Sequence, residues 1–276
     1  MRLGVIVPFW NYNEEFHRMK ELGIDTCQLT VWCDNAELTE QKANEIKALA
    51  EELDIVISGV WRGWTGPQAW NFTDGPLTLG LVPVEYREQR LVDLKCGSDF
   101  AEMLGVKKVI THMGFLPENP KYPEYQPVVD VIKEIAEYCK AKGQYLLFET
   151  GQETPVTLLR TIERVGTGNL GINLDPANLI MYGKANPVDA IDVFGKYVME
   201  LHGKDGVYPT NGDNLGDEVP IGEGKVHFDV LIPRLREAGF DGSIIIEREI
   251  SGDQQIADIK RAKDILSKII EEVEKC

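Results

Sequence analysis

The chain has 276 residues, 43% of them hydrophobic, and 45 acidic against 29 basic side chains give it a formal net charge of -16. Such an acidic protein repels a phosphate backbone, so we expect no nucleic-acid partner. No apolar run approaches the roughly 18 residues of a membrane span, and the apolar start of the chain is too short for a signal peptide. We therefore expect a cytoplasmic protein without a membrane partner.

Apolar runs and helical periods alternate along the whole chain, which predicts a parallel sheet. The pattern predicts strands at residues 3–7, 26–31, 55–60, 106–111, 145–148, 170–174, 197–201 and 243–246. It predicts helices at residues 13–22, 39–53, 85–104, 125–141, 155–165, 187–194, 228–238 and 253–274. Eight strands and eight helices without a dividing linker predict one α/β domain over residues 1–276, a single (β/α)8 TIM barrel.

Four predicted strands lead directly into a polar side chain that could perform chemistry, namely Glu149, Asp175, His202 and Glu247. In a barrel of parallel strands these ends converge on one mouth. Any one of these residues could instead cap the following helix. Together, however, three carboxylates and one imidazole suit a divalent cation, so we predict a metal site. Mn²⁺ is the foremost candidate, with Mg²⁺, Co²⁺ or Zn²⁺ as alternatives.

Further polar residues are predicted at the same mouth. His112 ends the fourth strand and could contact substrate, although a structural histidine is the alternative. Lys204 lies two residues beyond His202 and could bind a hydroxyl, carboxylate or phosphate group. A solvated or ion-paired loop lysine beside Asp205 is the alternative.

All five tryptophans lie within the first 70 residues, and four of them follow or end the first three strands. Indole rings pack well on the C–H faces of sugars and suit the lining of a concave pocket. We expect an aromatic wall for a sugar that includes Trp10, Trp61 and Trp64. Anchoring of loops in small apolar clusters is the alternative.

The five cysteines are odd in number and lack the spacing of a metal-binding pair. We interpret them as reduced structural thiols, Cys27, Cys33, Cys96, Cys139 and Cys276.

Several motifs together resemble those of the xylose isomerase-like TIM barrels grouped as sugar phosphate isomerases/epimerases. They are Phe148-Glu-Thr-Gly-Gln-Glu-Thr-Pro, Asn173-Leu-Asp-Pro-Ala-Asn-Leu, His202-Gly-Lys-Asp, Pro220-Ile-Gly-Glu-Gly and Ile246-Glu-Arg-Glu. The group includes ketose 3-epimerases, hydroxypyruvate isomerases and inosose dehydratases. The resemblance implies that Glu149, Asp175, His202 and Glu247 bind the metal, and that Glu149 and Glu247 also carry protons. It further implies a homo-oligomer, a dimer or a tetramer.

The chain departs from the ketose 3-epimerase pattern at two substrate-contacting positions. Asn178 stands where those enzymes have a histidine, and Tyr208 stands where they have an arginine. Asn178 is therefore a candidate substrate-binding residue, while a free ketohexose is a less secure substrate than the barrel and its metal. Lys204 could supply the missing positive donor.

The residues favour a metal-dependent sugar isomerase or epimerase that works through a metal-stabilised enediolate. A lyase or dehydratase acting on a keto-sugar, keto-glycoside or inosose at the same site is the alternative. Endonuclease IV shares the barrel but needs many histidine ligands, and this chain has four histidines. A non-catalytic sugar-binding barrel would not require both glutamates.

Overall fold

The computed structural model describes residues 1–275, so the interpretation of Cys276 as a thiol lies outside the described residues. The strands are β1 (Arg2–Pro8), β2 (Thr26–Val31), β3 (Val56–Arg62), β4 (Lys108–Thr111), β5 (Tyr145–Glu149), β6 (Leu170–Leu174), β7 (Val198–Gly203), β8 (Asp205–Gly206), β9 (Glu218–Val219) and β10 (Ser243–Ile246). Eight of them are parallel and close into a barrel in the order β1, β10, β7, β6, β5, β4, β3, β2. The barrel confirms the predicted fold, while β8 and β9 form a separate antiparallel pair.

Helices surround the barrel and cover the outward faces of its strands. They are α1 (Tyr12–Glu21), α2 (Glu40–Glu52), α3 (Gly75–Thr78), α4 (Val84–Leu104), α5 (Tyr125–Ala141), α6 (Pro155–Val165), α7 (Pro176–Met181), α8 (Pro187–Phe194), α9 (Phe228–Glu237) and α10 (Asp253–Glu274). One large apolar core joins both layers. Among the described residues, no helix is both long and apolar enough to cross a membrane.

Local signals set the helix ends, which is why their bounds agree closely with the predicted ones. The Thr39 hydroxyl accepts the Lys42 N–H at 3.2 Å and begins α2, and Thr154 begins α6 in the same way. Side-chain caps of this kind satisfy N–H groups that have no partner within the helix. Gly105 ends α4 with a left-handed φ of 77°, a conformation that glycine adopts without steric cost.

The main differences from the prediction are two short helices and the end of one strand. The helices α3 and α7 have four and six residues, too few to show a helical period in the sequence. The strand β3 continues to Arg62, so Trp61 lies inside the barrel wall and not in the following loop. That loop is ordered by the buried Arg90, whose guanidinium donates to the carbonyls of Thr65, Gly80 and Pro67.

The predicted cysteine chemistry agrees with the described part of the chain. Cys27, Cys33, Cys96 and Cys139 are free, with no disulfide among them. Burial raises the pKa of the Cys139 thiol to about 11, so the unreactive thiol form prevails at neutral pH.

Candidate metal centre

The structure brings the four predicted ligands together at the carboxyl end of the barrel. Glu149 ends β5, Asp175 follows β6, His202 lies in β7 and Glu247 follows β10. One ligand atom from each residue lies within 4.8 Å of the others. Because the strands are parallel neighbours, their ends deliver the four side chains to one point without any contribution from the long loops.

His202 stands at the middle of this cluster. Its Nδ1 lies 3.0 Å from Glu247 Oε2, 3.4 Å from Glu149 Oε1 and 3.5 Å from Asp175 Oδ2. Burial by itself would lower the pKa of the imidazole, but the Glu247 and Glu149 carboxylates outweigh it and raise that pKa well above its ordinary value. Without a cation, the imidazolium therefore carries the positive charge at the centre.

The donor set fits a divalent cation. Asp175 Oδ2, His202 Nδ1 and Glu247 Oε2 are buried and make no well-formed hydrogen bond, although they form ion pairs with one another and with Lys204. Buried charged groups without hydrogen bonds are costly. A divalent cation that displaces the Nδ1 proton and accepts a lone pair from each atom would stabilise them. Asp175 also fulfils the alternative role considered for it, because its Oδ1 caps α7 by accepting the Asn178 N–H at 2.8 Å. One oxygen thus caps a helix while the other remains free for a cation.

A buried polar network holds the far side of the His202 ring. The ring Nε2 lies 2.9 Å from Gln28 Oε1 and 2.9 Å from Asn173 Nδ2. Gln28 Nε2 in turn donates to Asn173 Oδ1 at 2.9 Å and to Glu200 Oε2 at 3.3 Å. Lys108 pairs with the other oxygen of Glu200. The network fixes the ring so that Nδ1 faces the carboxylates, as second-layer partners do at metal sites.

Lys204 is a fully paired, buried cation and not a solvated loop residue. Only 2% of Lys204 is exposed, and its Nζ lies 3.5 Å from Asp175, 3.4 Å from Glu247 and 3.1 Å from Glu249. The Nζ also donates to Asn178 Oδ1 at 3.4 Å. Burial would lower its pKa, but these carboxylates raise it well above the ordinary value. Lys204 therefore offsets the negative charge of the cluster.

Glu149 and Glu247 are both held in the ionised form. Burial would raise the pKa of each carboxyl, but His112 and His202 hold that of Glu149 well below its usual range. Lys204 and His202 lower the pKa of Glu247 to about 2. His112 lies close enough for this effect, with its Nε2 3.3 Å from Glu149 Oε1. Two ionised carboxylates are therefore present at neutral pH, as proton abstraction requires.

A cavity of about 380 Å³ opens beside the cluster. Of the predicted substrate-binding residues, it is lined by His112, Asn178 and Trp61, but not by Lys204, Trp10 or Trp64.

The aromatic wall differs in part from the predicted one. Trp61 is joined along the cavity by Trp32 and Trp70. Trp64 is 5% exposed and lies behind them. Its ring centroid is 6.3 Å from that of Trp61 and 6.3 Å from that of Trp70. Trp10 is 77% exposed in the turn that follows β1. The position of a tryptophan near the end of a strand does not show whether its ring lines the cavity, packs behind the lining or faces solvent.

Sequence reasoning assigned no role to several residues of this region. Glu249 and Tyr182 line the cavity, and Glu153 is buried near His112, where desolvation raises the pKa of its carboxyl to about 7. Gln28 could have been recognised, because it is a long polar residue between Cys27 and Leu29 in the predicted buried strand β2. The other three lie in turns and loops, where no period marks a side chain as buried.

The fold and the cluster define an eight-stranded α/β barrel with a candidate metal centre at its carboxyl end. The sequence model of the Xylose isomerase-like TIM barrel family matches residues 16–269. The chain belongs to that family.

Three solved structures are similar to this chain. The xylose isomerase domain protein from Planctomyces limnophilus is 30% identical, with a TM-score of 0.91 over 100% of this chain and 98% of that one. A D-tagatose 3-epimerase-like protein has 20% identity and a TM-score of 0.77 over 100% and 99% of the two chains. A xylose isomerase-like TIM barrel protein from Mycobacterium smegmatis, in complex with magnesium, has 18% identity and a TM-score of 0.72 over 99% and 97%. The last two similarities show the fold alone.

Proposed function

We propose that this protein is a divalent-metal-dependent isomerase or epimerase of a sugar or sugar derivative. The observation that carries the proposal is the cluster of Glu149, Asp175, His202 and Glu247, three of which hold a buried ligand atom that makes no well-formed hydrogen bond. Its position at the carboxyl end of a closed barrel, beside a cavity, is the usual place of an active site in this architecture. The magnesium complex of a structural neighbour is consistent with a hard divalent cation.

Glu149 and Glu247 are the proposed proton carriers. Glu149 ends β5 and Glu247 follows β10, and β6 and β7 separate these strands around the barrel, so the two carboxylates approach a bound substrate from different sides. One carboxylate takes the proton from the carbon beside the carbonyl, and the C–H electron pair enters the enediolate. The other carboxylate, after taking up a proton from solvent, delivers it to the opposite face, and the first then releases its proton to solvent. A bound divalent cation would supply Lewis-acid stabilisation of the enediolate charge.

The charge of the cavity favours an uncharged substrate. Its lining includes the carboxylates of Glu149, Glu247 and Glu249, and no lysine or arginine among the described residues lines it. The nearby Lys204 is already paired with three carboxylates. A phosphate would therefore find no unpaired basic side chain beside the cation, whereas a neutral sugar could stack on Trp32 and Trp70, which are 38% and 40% exposed. We propose a sugar without a phosphate group.

Turnover in D₂O tests the reaction class. Protein loaded with Mn²⁺ is incubated with ketoses, 3-keto-glycosides and inososes, and the products are followed by NMR. Deuterium entering beside the carbonyl, with the composition of the substrate retained, is the expected result. The Glu149→Gln and Glu247→Gln variants should each lose this exchange, while Glu163→Gln, an exposed residue of α6, should keep it.

Loss of water or of an aglycone together with deuterium entry would instead assign the protein to the lyases. If no compound exchanges hydrogen although Mn²⁺ binds tightly, the proposed substrate class is wrong.

A further inference from the structure

Trp61 contacts the candidate metal centre through a hydrogen bond and not only through its ring face. Its indole Nε1 donates to Glu149 Oε2, and both residues are buried, with exposures of 6% and 4%. A hydrogen bond from a neutral donor to a buried carboxylate is charge-assisted and stronger than one between neutral groups.

The two oxygens of Glu149 have different surroundings. The indole occupies Oε2, whereas Oε1 lies 3.3 Å from His112 Nε2 and 3.4 Å from His202 Nδ1. A partial rotation of the carboxylate about its last bond would break the indole hydrogen bond. The donor thus fixes the carboxylate plane, so that the oxygen it does not occupy faces His202.

Neighbouring rings hold the Trp61 donor in place. Its ring centroid lies 5.1 Å from that of Trp32, 6.3 Å from Trp64 and 5.9 Å from His112. Its backbone lies in the barrel wall, where Trp61 is aligned with Thr30 of β2 and Ile110 of β4. Because the neighbouring rings and the barrel wall hold the indole in place, its N–H is a preorganised donor that loses little freedom when it binds the carboxylate.

We propose that Trp61 is a positioning residue that orients Glu149, so that Oε1 faces the cation while the indole N–H holds Oε2. This role rests on the proposed function, since it presumes that Glu149 is a metal ligand and a proton carrier. It differs from the sugar-stacking role predicted for Trp61, because it requires the N–H group and not the ring face.

A matched pair of variants separates these two roles. Trp61→Phe removes the N–H and keeps an aromatic ring, and Trp64→Phe makes the same change in the adjacent indole, whose Nε1 has no hydrogen-bond partner. Mn²⁺ affinity is measured by calorimetry. We expect Trp61→Phe to weaken binding by about tenfold or more, the usual effect of losing a partner of a metal ligand. Trp64→Phe should bind Mn²⁺ as the wild type does.

The indole N–H signals in ¹⁵N NMR spectra provide a readout that does not depend on activity. The protein has five tryptophans, and Trp→Phe variants assign the signals. We expect the Trp61 signal to lie downfield of the Trp64 signal, to move upfield in Glu149→Gln, and to shift when diamagnetic Mg²⁺ is added. Four well-dispersed signals in Trp61→Phe, with shifts confined to the adjacent Trp32 and Trp64, show that the variant folds.

The outcomes distinguish this inference from the proposed function. If the wild type and Trp61→Phe bind Mn²⁺ equally, or if the Trp61 signal does not respond to Glu149→Gln, the positioning role is overturned and the metal centre stands. If the wild type binds no divalent cation, the proposed function falls and the positioning role falls with it.

Discussion

At the scale of single residues, Gln28 connects the candidate metal centre to the interior of the barrel. Its carboxamide lies between the His202 ring and the Glu200 carboxylate, and it is fully buried. A carboxamide suits this place because it offers an oxygen to one neighbour and an amide N–H to the other. An apolar side chain of similar size would remove the acceptor of the His202 ring and one N–H donor of Glu200, which would keep Lys108 and Ser58.

We therefore predict that Gln28→Leu lowers the free energy of unfolding by about 1–3 kcal/mol, the cost of leaving buried polar groups unsatisfied. The same variant should weaken Mn²⁺ binding by about 10–100-fold, because His202 loses its fixed orientation. Urea unfolding and calorimetry measure the two effects. Gln41→Leu, at an exposed site on α2, should change neither quantity. Unaltered metal affinity in Gln28→Leu would contradict the orienting role.

Glu153 gives the molecule a pH dependence opposite to that of most carboxylates. Desolvation raises the pKa of this buried carboxyl from 4.5 to about 7. Between these values the folded state keeps the proton and the unfolded state releases it, so stability falls as the pH rises. The loss from this group is on the order of 3 kcal/mol between pH 4.5 and 7 and is complete above the folded pKa.

Glu153→Gln should remove this loss, because the amide stays neutral and has nearly the same shape. We expect the variant to gain stability relative to the wild type as the pH rises from 5 to 8. The comparison uses urea unfolding with divalent cations removed by a chelator. Glu163→Gln, exposed on α6, should follow the wild type at every pH. Parallel stability curves for Glu153→Gln and the wild type would show that Glu153 is ionised without penalty.

At the scale of elements, one side chain organises the loop between β7 and α9. The Asp205 carboxylate accepts the backbone N–H groups of Gly206, Gly222, Gly224 and Val226 at 2.9–3.1 Å. These hydrogen bonds join the two ends of the segment that contains β8 and β9, beside the buried Lys204. A Cβ at position 224 would come within 2.0 Å of Asp205 Oδ1, which explains the glycine there.

Asp205→Asn should loosen this loop, because an amide nitrogen would face N–H groups that an oxygen now accepts. We expect a loss of about 2–4 kcal/mol in the free energy of unfolding, the range for hydrogen bonds to a charged acceptor. Limited proteolysis should become faster between residues 207 and 216. Asp213→Asn, an exposed change in the same loop, is the control. Equal cleavage rates for the two variants would show that the carboxylate does not close the loop.

The elements, and through them the four candidate ligands, could be predicted because their signals are local. Thr39, Thr154 and Gly105 mark helix ends by their own chemistry, and the apolar runs locate the strand ends to within two residues. The partners of the ligands could not be predicted. Gln28 and Asn173 are 145 positions apart in the sequence, and only barrel closure and strand register bring them into hydrogen-bond contact. The neighbours of Lys204 come from β6 and β10 for the same reason.

At the scale of the whole molecule, charged side chains concentrate at the carboxyl end of the barrel. The chain carries a net charge of -16, and the carboxylates of Glu149, Asp175, Glu247 and Glu249 gather around Lys204 and His202. Carboxylates crowded in a buried site repel one another and cost stability unless cations offset them. A divalent cation at this point would therefore stabilise the four adjacent strands β5, β6, β7 and β10.

Metal addition should accordingly raise the Tm of the whole protein. A cation at 100 times its Kd stabilises the folded state by about 2.7 kcal/mol, which corresponds to about 5 °C for a chain of this size. Differential scanning calorimetry with and without Mn²⁺ measures the shift. Glu247→Gln should lose most of it, whereas Glu271→Gln, exposed on α10, should retain it. If Glu247→Gln keeps the full shift, the stabilising cation binds elsewhere. If the wild type shows none, the cluster is a set of ion pairs around Lys204 and His202 that needs no metal.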